Sequence, residues 1–319
     1  MTTASATPAP TAATLERSDR FTKPAQSPAQ LVWLRFRRHK MAMVGSVILI
    51  LIILYCTVGA IFMPESYANF NDTKIKFQPP SLAHPFGTDS IGRDVMARTI
   101  SGGQISLIIG VSAMLMALVV GTLVGAIAGY YGGGIDSVLM RFTEAVFNIP
   151  QLFLLIVIGK FFAMEISSIE LFGRTFSGSV LVIIIIIGLT SWTYLARIVR
   201  SQYLSLKERD FISAARAIGT SNGPIIFRHI LPNSMAPIIV AGTLGVASAI
   251  LAEAYVSFLG LGVQPPTASW GNLLVSSYNY LQTAPWLWIF PGLLISLTVL
   301  SINFVGDGLR DALDPRTQI

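Results

Sequence analysis

The sequence predicts an all-α integral membrane protein with six transmembrane helices and one structured cytoplasmic loop. Three observations carry that reading. Hydrophobic residues make up 53% of the 319 and charged ones only 12%, about half the charged share usual in soluble domains. Mean hydropathy is +0.65. Long uncharged runs recur along the chain, and Lys and Arg gather in alternate gaps between them.

The net charge of +6 and pI near 9.6 would suit a nucleic-acid binder if the basic residues formed a patch on a polar chain. Here they flank apolar runs, so the positive-inside bias accounts for them and no nucleic-acid partner is expected. Cys56 is the only cysteine and lies among Ile and Leu, which reads as a small buried hydrophobe. His39, His84 and His229 are far apart and lack metal-ligand spacing, so no metal site is expected.

Residues 1–30 are rich in Ala, Thr, Pro and Ser without an apolar core. They predict a disordered cytoplasmic arm and not a cleavable signal peptide. Residues 31–40 follow as a short basic amphipathic helix suited to anionic lipid headgroups. Next come 23 uncharged residues, 41–63, long enough for the roughly 30 Å hydrocarbon core. Eleven Ile, Leu, Val or Phe in 47–62 favour insertion by about 3–7 kcal/mol. Residues 64–104 read as an extracytoplasmic loop. Residues 105–305 form the transmembrane core, with spans near 105–129, 137–163, 179–197, 236–259 and 285–305. The second of these carries Arg141, Glu144, Pro150 and Lys160 and is the least regular. Residues 306–319 form a cytoplasmic tail. Sixteen Lys and Arg fall on the side of the N-terminus and five on the other, which predicts both termini in the cytoplasm.

The loop at 206–232 is patterned where short polar connections are the rule. Phe211, Ile212, Ala215 and Ile218 share one helix face. Asp210 suits a helix start, and Gly219 a left-handed stop. Ser221 or Asn222 then begins a second short helix that ends at Pro232. The result is a helix–glycine–helix elbow with an apolar stripe. Such an elbow either lies on lipid or docks a soluble partner, and small residues at Ala214, Ala215 and Ala217 allow close approach.

Ser213-Ala214-Ala215, three residues, Gly219 and then Leu231-Pro232 has the spacing of the coupling loop of ATP-binding-cassette importer permeases. The segment ERDFISAARAIGTSNGPIIFRHILPN (208–233) resembles the second-permease type of the dipeptide/oligopeptide and nickel transport family. HPFGTDSIGRDV (84–95), LAEAYVSFLGLGVQPPTASWGN (251–272) and GDGLRDALDP (306–315) are similar to that family's other signatures, in the same order. Ser213 departs from the Glu usual there. The resemblance implies the type I importer permease fold and half of a translocation pathway for peptides or similar small solutes. It implies a homologous permease as partner, in a heterodimer, and two ATPase subunits that bind ATP and Mg and grip the elbow. It further implies an extracytoplasmic solute-binding protein and a prokaryotic inner membrane. On that reading this chain is not an enzyme.

The elbow residues Asp210, Phe211, Ser213, Ala214, Ala215, Ala217, Gly219, Leu231 and Pro232 are thus candidates for ATPase coupling. Asp89, Arg93 and Asp94 in the outer loop are candidates for an outer gate, or else for a local ion pair pinning a helix start. Glu253 near the outer end of the fifth span either lines the path or makes an interhelical hydrogen bond. Gly121, Gly125 and Gly129 form a packing stripe. Arg141 and Glu144, three apart, are placed to pair. Trp270, Trp286 and Trp288 suggest an interfacial belt. Gly132-Gly133-Gly134 lacks the Lys-Ser/Thr of a phosphate loop, so hydrolysis would belong to another chain. An ion-driven carrier would need titratable groups near the midplane, and a membrane enzyme a catalytic motif; neither is evident.

Overall fold

A computed structural model describes residues 27–162, 169–171 and 174–314. Most of the predicted N-terminal arm and the last residues of the tail lie outside the described residues. The chain begins with α1 (Pro28–Arg38), where Ser27 and Gln30 form a reciprocal capping box and Pro28 occupies the first turn. His39 breaks the helix and its Nδ1 accepts from the Ala42 amide at 3.0 Å, starting α2 (Lys40–Phe62). Phe36 of α1 is buried with Ala42 and Ala312, so the basic helix folds back onto the far end of the chain. Arg35 donates to the Asp314 carbonyl at 2.9 Å.

Helix α3 (Val95–Tyr131) has 37 residues, about 55 Å at helical rise, so it outruns the hydrocarbon core. It starts ten residues before the predicted span because Asp94 caps it, accepting from the Ala97 amide at 2.9 Å. Helix α6 (Gly178–Leu206) packs along it. The glycine stripe makes that seam. A Cβ at Gly121 would stand 2.7 Å from Leu195 Cβ, and one at Gly129 would stand 2.6 Å from Tyr203 Cβ. Between bilayer helices, where apolar burial supplies little drive, such backbone approach is what holds the pair.

The sequence predicts one span over 137–163; the structure breaks it. Helix α4 (Gly133–Phe147) and helix α5 (Gln151–Phe162) meet at a bend of 69°. Pro150 has no amide to offer and excludes helical geometry at the residue before it. Asn148 closes the last turn of α4, its side chain also donating to the Glu144 carbonyl at 2.8 Å, and the Ile149 amide donates to the Val146 carbonyl at 3.1 Å. Among the described residues, five helices are long and apolar enough to cross a membrane, and six spans result if the bent pair counts as one. Between α5 and α6, Ile169–Leu171 pairs antiparallel with Arg174–Phe176, the only β-strands among the described residues.

Helix α7 (Asp210–Ala217) and helix α8 (Asn222–Phe258) form the elbow and fifth span. The predicted stop at Pro232 does not occur. Residues Ile225–Ile230 adopt a π-helical turn, in which Leu231 N donates to the Ile226 carbonyl, and the helix runs on through Pro232. A widened turn leads straight into the residue that has no amide to place, so the proline is absorbed. Helix α9 (Trp270–Ser277) lies in the predicted outer loop. Helix α10 (Trp286–Leu313) carries Pro291 and extends through the first half of the predicted tail. The main core lies where Ile105 and Ile109 of α3 meet Ile183 and Ile187 of α6 and Val256 of α8. Val47, Ile50, Leu51 and Leu54 of α2 stay exposed, the side a lipid tail would cover.

Candidate functional site

The elbow at 206–232 is built by local rules. Gly219 has φ +83°. Thr220 N donates to the Ala215 carbonyl at 3.0 Å and Gly219 N to the Arg216 carbonyl at 2.9 Å, the paired bonds of a Schellman stop. Asp210 is not the cap: Arg209 holds that position, and no side chain bonds to the open amides. Asp210 sits one residue later, where its charge still favours the positive helix end.

The apolar stripe divides in two. Ile212 is buried against Ile225, Ile226, Ile230 and Tyr203, and Ala215 is buried as well. Phe211 is 43% exposed, Ile218 84% and Phe227 52%. Ser213, Ala214, Ala217, Gly219 and Pro232 are also exposed, and Leu231 is half-buried. An eight-residue helix has room for one inward face, and Phe211 and Ile218 fall off it.

Residues that sequence reasoning missed tie this elbow to the core. Tyr203 is fully buried and its hydroxyl donates to the Ile226 carbonyl at 3.1 Å, inside the π-helical turn. The Tyr130 hydroxyl donates to Asn222 Oδ1 at 2.7 Å, and the Arg216 guanidinium stands 5.7 Å from the Tyr130 ring. Arg200 grips Asp136 with two bonds, 2.5 and 2.6 Å, fastening α4 to α6. The signal available was position: Tyr130 follows the glycine stripe, and Arg200 and Tyr203 line the helix that stripe meets. By contrast Arg141 and Glu144 are both exposed and form no ion pair with each other. At the membrane edge their long side chains have water as a competing partner.

A second feature, also unforeseen, is a recess of about 570 Å³ opening beside the α4–α5 break. Pro150 and Gln151 of the break, Thr190, Thr193 and Tyr194 of α6, and Ser248 of α8 line it with Met114 and Leu244; none of its lining residues is Asp, Glu, Lys or Arg. Irregular backbone at membrane depth is tolerated where it borders a polar cavity. Thr190 and Ser248 return their hydroxyls to their own helix carbonyls, which leaves oxygen lone pairs for a guest. Arg197 lies below, 4.1 Å over the ring of Phe147.

The four outer candidates do not line this recess. Asp89 Oδ1 accepts the amides of Ile91 and Arg93, each at 2.9 Å, and Oδ2 accepts Arg93 Nε at 2.6 Å. Asp94 caps α3 and meets His84 Nδ1 at 2.8 Å. Glu253 is fully buried; Ser106 donates to it at 3.0 Å and Ser257 at 2.7 Å. The two serines in turn accept the amides of Trp270 and Val263. Glu253 thereby anchors the loop after α8 to two helices. The aromatic belt needs correction at Trp270, which is fully buried with its indole N–H on the Thr99 carbonyl at 2.9 Å. Gly103 makes the room, since a Cβ there would stand 2.6 Å from the indole. Trp286 donates to the Thr88 carbonyl, and only Trp288 of the three is largely exposed.

Comparison with known proteins agrees with this architecture. Residues 121–319 match the family described as binding-protein-dependent transport system inner membrane component, and residues 27–80 match the N-terminal TM domain of oligopeptide transport permease C. The chain is 41% identical over 298 residues to the dipeptide transport system permease protein DppC of Alkalihalophilus pseudofirmus, covering 93% of this chain and 92% of that one. It is 39% identical over 307 residues to the oligopeptide transport system permease protein OppC of Bacillus subtilis, covering 96% of each. In fold it resembles a chain of the inward-facing MetNI methionine ABC transporter, with a TM-score of 0.54 at 19% identity over 69% of this chain and 98% of that one.

Proposed function

The chain belongs to the family of binding-protein-dependent transport system inner membrane components, and from that premise we propose how this permease subunit works. It forms half of the pathway of an ATP-driven importer for di- and oligopeptides or similar small solutes. A homologous permease completes the pathway. Two ATPase subunits bind ATP and Mg and carry out hydrolysis, one of them seated on the elbow. An extracytoplasmic solute-binding protein delivers cargo, and both termini lie in the cytoplasm, where the basic residues of α1 and the elbow meet the inner leaflet.

One observation carries this reading: a single continuous helix joins the exposed elbow to the recess. Helix α8 begins at Asn222, just past Gly219, and presents Leu244 and Ser248 to the cavity, about 35 Å away at helical rise. A partner that grips Phe211 and Ile218 moves α7, and α7 moves the foot of α8 through Ile212, Ala215 and the π-helical turn. The recess wall shifts with it. This chain supplies half a wall and one lever, and no covalent chemistry.

The uncharged lining supports a cargo recognised through its amide groups. Hydroxyls and one carboxamide offer hydrogen bonds to any peptide backbone without selecting a side-chain charge. Ser213 stands where relatives by resemblance carry Glu, and this elbow accordingly relies on apolar and small-residue contact.

The test is uptake of a labelled dipeptide into proteoliposomes holding the assembled transporter and its binding protein. ATP-dependent uptake is expected, and Thr193→Val with Ser248→Ala should raise the KM severalfold. Uptake that continues without ATP and collapses with an ion gradient would falsify the importer reading.

A further inference from the structure

The extracytoplasmic end holds a cavity of about 270 Å³ that the transport reading does not use. Its polar lining is Asp89, Arg93, Arg98, Ser257, Gln264 and Asn272. Three of these are spent elsewhere. Ser257 donates to Glu253, Asn272 to the carbonyls of Val263 and Thr267, and Gln264 to those of Gly260 and Gly262.

The guanidinium groups are not spent. Arg98 is 3% exposed, and one terminal nitrogen donates to Asn69 Oδ1 at 2.6 Å and to the Pro266 carbonyl at 2.9 Å. Its Nε is buried without any partner. Arg93 gives Nε to Asp89, and its terminal nitrogens make no hydrogen bond among the described residues. Both oxygens of Asp89 are already taken by Arg93 and by two amides. Two cations therefore share a cavity wall with one fully engaged carboxylate, Glu65 being the other acidic group that acts on Arg98.

We propose that this cavity is a binding site for a small carboxylate, held between Arg93 and Arg98. A buried N–H left unpaired is costly, and a planar two-oxygen acceptor matches the guanidinium fork better than water does. The single excess positive charge of the lining suits a monoanion over a phosphate. The volume is about nine times the roughly 30 Å³ share of a liquid water, enough for acetate or for the terminal residue of a short peptide. The carboxylate is either the free end of a passing solute or an acidic side chain of a protein docked outside; both present the same group.

Equilibrium dialysis of labelled acetate against the purified full-length chain in detergent tests this without any ATPase, so its outcome is separate from that of the transport assay. Saturable binding of one acetate per chain is expected, weakened tenfold or more in Arg98→Gln. Because Arg98 also braces the outer loop, Asp89→Asn is the companion variant. It keeps an oxygen for the two amides, removes the competing charge, and should tighten acetate about threefold or more. Displacement by glycylglycine and not by glycylglycinamide assigns the site to a chain-terminal carboxylate. Displacement by N-acetylglutamate amide at least as well assigns it to an acidic side chain. Absence of saturable acetate binding in both wild type and Asp89→Asn overturns the proposal, as does unchanged affinity in a folded Arg98→Gln.

Discussion

The two ends of the molecule are held together by different physics. At the outer end, buried polar groups interlock across the chain: Glu253 with Ser106 and Ser257, Trp270 with Thr99, Asp89 with Arg93, and Asp94 with His84. At the inner end, the elbow rests on an apolar patch and two tyrosine hydroxyls, and leaves Phe211, Ile218 and Phe227 uncovered. Buried hydrogen-bond networks are costly to disturb, since each lost partner strands another. A small apolar contact slides at lower cost. The end that carries Glu253 is thus built to hold its geometry, and the elbow end to shift at lower cost.

Glu253→Ala is the strongest way to break that contrast. It leaves two buried serines facing a void and should lower stability by about 3 kcal/mol, read as a lower midpoint in detergent thermal unfolding; an unchanged midpoint would show that the outer network is dispensable. Gly219→Pro comes next. It forbids the positive φ of the stop and should cut ATP-driven uptake about tenfold, roughly 1.4 kcal/mol of coupling, while the thermal midpoint barely moves. Wild-type uptake in that variant would remove the elbow from the mechanism.

Tyr203→Phe sharpens the comparison further. One hydrogen bond to the π-helical turn is lost, worth about 1 kcal/mol, and ATP hydrolysed per solute carried should rise. Equal coupling ratios in mutant and wild type would mean that the hydroxyl merely fills space. The smallest effect is expected from Glu144→Ala, exposed and unpaired with Arg141, which should change stability by less than about 0.5 kcal/mol. A larger loss would point to a partner contact at that edge.

Much of the fold was legible because it obeys local sums. The 23 uncharged residues of the first span add their transfer free energies wherever the neighbours are. Gly219 announces a left-handed stop, and the i, i+4 glycines announce a close seam, from backbone geometry alone. Pro150 was visible too, yet whether it kinks a span or breaks it by 69° depends on what receives the freed carbonyls. Pro232 shows the opposite outcome, absorbed by a π-helical turn whose Ile226 carbonyl Tyr203 also holds.

By itself the sequence determined the membrane class, the number of apolar runs, the charge asymmetry and the elbow, since each follows from residues adjacent in the chain. Only the tertiary structure decided that Glu253 is an anchor, that Trp270 is core, and that uncharged residues of five helices enclose a recess. Those outcomes need partners 147 and 171 positions away. Pairing over such distances is chosen by packing in three dimensions, which no local propensity encodes.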